Sequence, residues 1–162
     1  MIRPATPADL PAILEVYQAA RSFMAASGNP TQWGSTYPAP GILEEDIRLC
    51  RLYVDQMDGQ VCGVFMFTLG DDPTYAYIEQ GRWISDTPYG VIHRVASDGS
   101  TGGVLRRCLD FCRSQCPHLR IDTHADNHVM QQLLDGAGFT RCGIIYVEDG
   151  TPRIAYEWLC DK

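Results

Sequence analysis

The sequence predicts an α/β (α+β) fold, a largely central sheet covered by helices, on three observations. Apolar residues recur at helical spacing in about four stretches, β-rich runs alternate with those stretches, and no linker, repeat or low-complexity tract breaks the chain. At 162 residues the length is that of one domain with one sizeable core, so residues 1–162 are expected to act as a single domain.

The elements follow in order. Ile2 and Arg3 end a short first strand. Thr6-Pro7-Ala8-Asp9 reads as a helix start, with Thr as N-cap, Pro at the first position and an acid at the third. Leu10, Ile13, Leu14, Tyr17, Ala20 and Met24 continue it at helical spacing, Pro11 blurs its first turn, and Gly28 is its C-cap. After the Gly28–Gly34 loop, a second helix is expected from Leu43 to Arg51. Leu52–Asp55 and Val61–Phe67 form a hairpin across Asp58-Gly59. Further strands are expected at Tyr75–Ile78 and Val91–Ala96, and then a small-residue loop, Ser97–Gly103, enters a helix from Val104 to Gln115. Leu119–His124 is a strand and Asn127–Asp135 a helix closed by Gly136 and Gly138. Ile144–Val147 and Ile154–Trp158 pair as a last hairpin.

Composition excludes several classes. The longest apolar run falls far short of the roughly 20 residues that cross a bilayer. Met1-Ile2-Arg3-Pro4 lacks the charged-then-apolar layout of a secretory leader, and a cytoplasmic location is expected. A formal charge of −7 disfavours non-specific nucleic-acid binding, which needs clustered Lys and Arg, and leans toward a cationic or neutral substrate. The cysteines Cys50, Cys62, Cys108, Cys112, Cys116, Cys142 and Cys160 lack the two-residue gap of zinc or redox motifs. Cys108, Cys112 and Cys116 stack on one helical stripe near His118 and are expected to be small apolar fillers in a reducing compartment rather than metal ligands.

The segment from Val91 to Leu109 carries the first chemical signal. Gly99, Gly102 and Gly103 let backbone approach a ligand closely, and they open onto a helix N-terminus suited to a phosphate or pyrophosphate. No Gly-Lys-Ser/Thr follows, so this is not a P-loop.

The order of elements resembles that of the GNAT superfamily of acyl-CoA-dependent N-acyltransferases. That family sets a strand, a loop of the form Arg/Gln-x-x-Gly-x-Gly/Ala and a helix on the coenzyme A pyrophosphate. Here Ser100-Thr101-Gly102-Gly103-Val104-Leu105 matches at Gly103, with Ser100 in place of Arg/Gln and Leu105 in place of the final small residue. Asn127 to Phe139 looks like the family's Asn-opened helix ending in Gly-Phe. In the family a Tyr four residues before that Gly protonates the leaving thiolate; Leu134 stands there in this chain. Gly28–Trp33, Ile92–Ser97 and Arg120–Asn127 are similar to stretches of one bacterial branch, and the likeness runs collinearly over nearly the whole chain.

The resemblance implies a mixed, mostly antiparallel sheet of about seven strands with about four helices. It implies acetyl-CoA as cosubstrate, a primary amine of a small molecule as acceptor, and direct attack in a ternary complex. Arg94, Val95, Ala96, Ser100, Thr101, Gly102, Gly103, Val104 and Asn127 would bind the cofactor, with a freed N–H at His93 or Arg94 on the thioester oxygen and pantetheine lying along the strand. Candidates for the base are His124, His93, Glu79 (through water) and Asp122, which shares a strand face with His124 and Arg120. Arg94, Arg120 and Asp122 read equally well as a buried network that only orders two strands. Tyr146, water or an unassisted departure would replace the missing acid. Gln32, Trp33, Tyr37, Asp122, Trp83 and Tyr146 are candidate acceptor contacts, and Trp83 is favoured as core.

Two other classes stay open. One is a non-catalytic acyl-CoA-binding or sensing module of the same fold, favoured by Leu134, Ser100 and Leu105. The other is a metal- or thiol-based regulator using the cysteine stripe. Oligomeric state is not readable, although the final hairpin offers an unpaired edge through which a homodimer could form.

Overall fold

The computed structural model describes residues 1–161. In chain order it contains β1 (Ile2–Pro4), α1 (Leu10–Ala26), α2 (Pro40–Arg48), β2 (Leu52–Met57), β3 (Gln60–Leu69) and β4 (Gly90–Ser97). α3 (Val104–Gln115), β5 (His118–Thr123), α4 (His128–Gly136), β6 (Thr140–Tyr146) and β7 (Pro152–Leu159) follow. The seven strands form one sheet in the order β1-β2-β3-β4-β5-β7-β6. Pairing is antiparallel at β1·β2, β2·β3, β5·β7 and β6·β7, and parallel where Gly90–Ile92 of β4 meets β5. The mixed, mostly antiparallel α/β architecture is therefore the one the sequence implies.

Contacts divide the chain into two compact units, Met1–Phe67 with His93–Phe111 and Thr68–Ile92 with the residues from Cys112 onward. In the first unit, Ile13, Val16 and Tyr17 of α1 and Leu43 and Ile47 of α2 form a core with Leu52, Val54, Val64 and Met66 of β2 and β3. Burial of these branched and aromatic side chains, at roughly 1.5–3 kcal/mol each, is the main term holding α1 and α2 in place. The capping at Thr6 is present, with the Thr6 N–H donating to Asp9 at 2.8 Å. Its first turn is a 3-10 turn, Pro7–Asp9, from which α1 continues through Pro11. The second helix begins at Pro40 and ends at Arg48, earlier than the apolar spacing suggests, because Cys50 adopts φ 55° and stops it. Asp58 and Gly59, at φ 52° and 79°, make the expected hairpin turn.

In the second unit Tyr75, Tyr89, Val91, Ile145 and Ala155 form the core, with Ile78, Trp83 and Val147 packed on it. The strand expected at Tyr75–Ile78 is not formed. Pro73 removes a ladder donor and the Asp72 carboxylate accepts the Thr74 N–H at 2.8 Å, winding Pro73–Tyr75 into a 3-10 turn. The chain becomes sheet-like only at Glu79, whose N–H and C=O both bond Ile144, at 3.0 and 2.8 Å. Trp83 is core, as favoured, its Nε1 donating to the Tyr75 carbonyl at 2.9 Å.

Glycine is required where the segment after Glu79 meets β6. A Cβ on Gly81, at φ 154°, would lie 1.9 Å from the Cys142 carbonyl oxygen, and one on Gly143 would lie 2.6 Å from the Glu79 carbonyl oxygen. Gly81→Ala should therefore cost roughly 2–4 kcal/mol, combining a rarely populated backbone region with displacement of a backbone carbonyl. A fall in the urea midpoint at unchanged slope would show it; an unaltered midpoint would remove this contact from the account.

Cys62, Cys108, Cys112, Cys116 and Cys142 are buried, Cys50 and Cys160 exposed. Burial, helped by the Glu157 carboxylate, pushes the Cys142 thiol up to about 12. A colorimetric thiol reagent at pH 8 should accordingly titrate the two exposed cysteines at once and the five buried ones only after denaturation, since the thiolate is the nucleophile.

Candidate functional site

The first unit carries a distorted strand next to a glycine-rich turn. Arg94 sits inside β4 at φ 53°, so its peptide plane turns away from the regular ladder. Three contacts hold that distortion. The Tyr17 hydroxyl donates to the Arg94 carbonyl at 2.7 Å, Arg94 Nη2 pairs with Asp46 Oδ2, and Arg94 Nη1 reaches the Tyr37 hydroxyl at 3.4 Å. Asp46 is 0% exposed and takes Arg51 Nε on its other oxygen at 2.7 Å. Burial works against the Arg94 charge, and Asp46 more than restores it, so the guanidinium pKa is raised. Tyr17, buried in the same cluster, has its pKa pushed up by desolvation and stays a donor.

The turn after β4 is held from its own side chains. Asp98 Oδ1 accepts the Ser100 N–H at 2.8 Å and the Ser100 hydroxyl at 2.6 Å, and Ser97 Oγ accepts the Gly99 N–H at 3.1 Å. Arg107 closes the turn from the first part of α3, with Nε on Asp55 at 2.7 Å, Nη1 on the Gly102 carbonyl at 2.8 Å and Nη2 on Thr101 Oγ1 at 3.2 Å. Gly99 and Gly103 take φ 79° and 80°. The space a Cβ would fill at Gly99 and Gly102 is open, and exposed Arg106 lies in the first turn of α3. A pyrophosphate fits these donors: open glycine backbone, a helix N-terminus and a guanidinium.

The second unit gathers the remaining polar candidates. Glu79 accepts the Tyr146 hydroxyl on one oxygen and the Tyr77 hydroxyl on the other at 2.9 Å. These two bonds, Tyr146 first, lower its pKa, while the bond to Glu79 raises those of Tyr146 and Tyr77. His124 Nδ1 accepts the Asp126 N–H at 3.0 Å, which fixes the neutral ring with its proton on Nε2. Burial, then Arg153, lowers the His124 pKa, with Asp126 pulling the other way, so the ring is neutral at pH 7. Asp122 accepts the hydroxyl of buried Tyr75 at 2.7 Å, and Asn127 caps α4, taking the Met130 N–H at 3.1 Å. Leu134, in the position of the family's acid, is fully buried.

The network expected of Arg94, Arg120 and Asp122 resolves into three separate partnerships. Arg94 meets Asp46, Asp122 meets Tyr75, and Arg120 shares Glu157 with His118. Arg120 is also sandwiched at 4.1 Å on Trp83 and 4.0 Å on Tyr89. Of the loop residues, Gln32 accepts Asn29 Nδ2 at 2.8 Å, and Trp33 packs edge-on to Tyr17 at 5.6 Å and tilted to Tyr37 at 6.4 Å. His93 lies on β4 beside Arg94, half-buried. Asp46 was not singled out by sequence, although a signal exists: it falls on the same helix face as Leu43 and Ile47, where an acid is out of place unless paired.

No family model matches the chain. No curated protein matches it either. Solved structures do. An acetyltransferase of the GNAT family from Streptococcus agalactiae 2603 superposes with a TM-score of 0.91 at 27% identity, covering 100% of this chain and 96% of that one. A GNAT-family acetyltransferase from Listeria monocytogenes 4b F2365 gives 0.72 at 17% identity, over 98% of this chain and 94% of that one. A chain of the NatC complex bound to Gag peptide and CoA gives 0.64 at 12% identity, over 99% of this chain and 98% of that one.

Asp46→Asn leaves Arg94 and Arg51 without a counter-charge at constant volume. A loss of about 2–3 kcal/mol is expected, toward the low end for a broken buried pair because Arg51 keeps 33% of its side-chain surface in water. Chemical denaturation checks it, and a variant as stable as the parent would mean that Tyr17 and Tyr37 suffice to hold β4.

Proposed function

We propose that this chain, which shares its fold with the GNAT-family acetyltransferases, acts over residues 1–162 as an N-acetyltransferase. In this reading it moves an acetyl group from acetyl-CoA to a primary amine of a small molecule by direct attack in a ternary complex. The observation that carries the reading is the pinned, left-handed Arg94 in β4 followed by the open glycine turn and α3. A distorted strand leaves backbone N–H groups for a ligand, and a glycine turn at a helix N-terminus suits its phosphates.

On the donor side, the backbone of Arg94, Val95 and Ala96 takes the pantetheine, with an N–H at His93 or Arg94 on the thioester oxygen. Ser100, Thr101, Gly102, Gly103 and Val104 take the pyrophosphate, and Asn127 borders the pantetheine arm. On the acceptor side, Glu79 is the base. Its carboxylate is kept ionised by two hydroxyls, which lowers its basicity but leaves it an acceptor for a proton relayed from the ammonium through water. The amine nitrogen then bonds to the acetyl carbon and the carbon–sulfur bond breaks. Tyr146 gives its proton to the departing thiolate and regains one from Glu79, so one ammonium proton ends on the thiol, and the nitrogen sheds its second proton to water as the amide forms. His124, with its proton on Nε2, serves as a donor in this scheme, and His93 is the second choice for the base. Gln32, Trp33, Tyr37 and Asp122 are retained as acceptor contacts. A reducing cytoplasm is supported by five buried free thiols, and no helix among the described residues is long and apolar enough to cross a membrane.

Calorimetry with acetyl-CoA, followed by thiol release across a panel of amines, tests the reading. Glu79→Gln should keep acetyl-CoA binding and lower kcat by roughly 10²-fold or more. Binding without any turnover would transfer support to a non-catalytic acyl-CoA sensor, while no binding at millimolar ligand would sink both.

A further inference from the structure

The second unit contains a cavity of about 290 Å³ lined by Gln80, Ala125, Ile144, Tyr146, Arg153 and Ile154. Arg153, the second residue of β7, is only 8% exposed. A guanidinium taken this far out of water needs a partner of opposite charge. Arg94, Arg107 and Arg120 have one each, in Asp46, Asp55 and Glu157. Arg153 has none among the described residues. Its Nη1 is spent on neutral acceptors, Thr151 Oγ1 at 3.0 Å and the Pro152 carbonyl at 2.8 Å. Asp149 feels the charge yet makes no ion pair with Arg153; its Oδ1 accepts the Thr151 N–H at 2.9 Å and the Thr151 hydroxyl at 2.5 Å. Among the described residues Nε and Nη2 of Arg153 have no acceptor, which leaves a pair of parallel donors, the geometry that takes a carboxylate on both oxygens.

We propose that this cavity binds the α-carboxylate of the acceptor on Arg153, so that the substrate is a small apolar amino acid acetylated on its α-amine. The inference rests on the transferase reading above and names its substrate class. Four observations converge on it. The volume lies at the lower bound of roughly 300 Å³ for ligand pockets, which suits a molecule of amino-acid size. Ile144, Ile154 and Ala125 offer an apolar wall for a side chain. Tyr146, another wall, is bonded to the Glu79 carboxylate, so a cation-seeking group accompanies the anion-seeking one within the same unit. A zwitterion also reconciles a single buried guanidinium with a chain of net charge −7, which would repel a ligand of net negative charge. A diphosphate would call for several cations around the cavity, and one lines it.

The test is calorimetric titration of the full chain, with and without saturating CoA, by L-valine, L-leucine, L-methionine and L-phenylalanine and by the corresponding carboxamides. At least one acid should bind about tenfold or more tightly than its carboxamide, the difference expected for a charge-assisted bidentate contact. Arg153→Met should erase that difference, and Arg153→Lys, which keeps charge without the fork, should retain only part of it. If Arg153→Met does not fold, the wild-type comparison and Arg153→Lys still decide. The proposal is overturned if no acid binds under either condition, if acids and carboxamides bind alike, or if the preference survives Arg153→Met. Acid binding without acetyl transfer would sustain this site and sink the transferase reading. Transfer to amines that ignores the carboxylate would do the reverse.

Discussion

Asp46 stands at zero exposure with a full negative charge, a placement that water-free burial tolerates only because two guanidinium groups meet it, one on each oxygen. Its pairing with Arg94 fixes a strand residue in a conformation that an L-amino acid adopts reluctantly. Tyr17 adds the hydroxyl that holds the Arg94 carbonyl, and Tyr17 is itself set by the core that α1 and α2 make with β2 and β3. The distortion of β4 is thus a product of helix packing, and the backbone chemistry assigned to β4 depends on a side chain on a different element. The turn that follows is governed separately, by Asp98 within it and by Arg107 reaching back from α3 to Asp55.

The second unit solves its electrostatics in another way. Glu157 lies opposite Arg120 in the β5–β7 register and serves Arg120, His118 and the Ile84 N–H together, with Trp83 and Tyr89 against the guanidinium. Removing any member would leave a buried charge exposed to an apolar surrounding, so this cluster fixes shape. Glu79 and Tyr146 differ in being accessible, and the Tyr146 hydroxyl donates to the carboxylate at the surface. Arg153 is the exception: at 8% exposure it is nearly as buried as Arg120, and it has no carboxylate partner among the described residues.

Legibility in the sequence followed the range of the interactions involved. α3, from Val104 to Gln115, and the Asp58-Gly59 turn are set by neighbours a few residues away, and their spacing announced them. The failed strand at Tyr75–Ile78 had apolar content but also Pro73 and Asp72, local signals for a turn that outweighed it. Glu79 and Tyr146 were each recognisable as candidates, while their mutual bond depends on a single bridge from Glu79 to Ile144, 65 residues apart by their numbers, that no periodicity encodes. The role of Asp46 was available in part, as an acid on an apolar helix face. That of Arg153 was not: an arginine near the start of a strand is commonplace until the absence of its counter-charge becomes visible.

Gly81, in the segment after Glu79, and Gly143, on β6, lie so close to the opposing backbone that neither has room for a methyl group. The two backbones meet through Glu79 and Ile144, and it is this meeting that sets where the Glu79 carboxylate emerges. In evolutionary terms the two glycines form a single heritable unit. A lineage that lost one would lose the selective reason for the other, and with both gone the carboxylate would drift from its tyrosines. Their joint presence or absence among descendants would therefore track whether that carboxylate still has work to do.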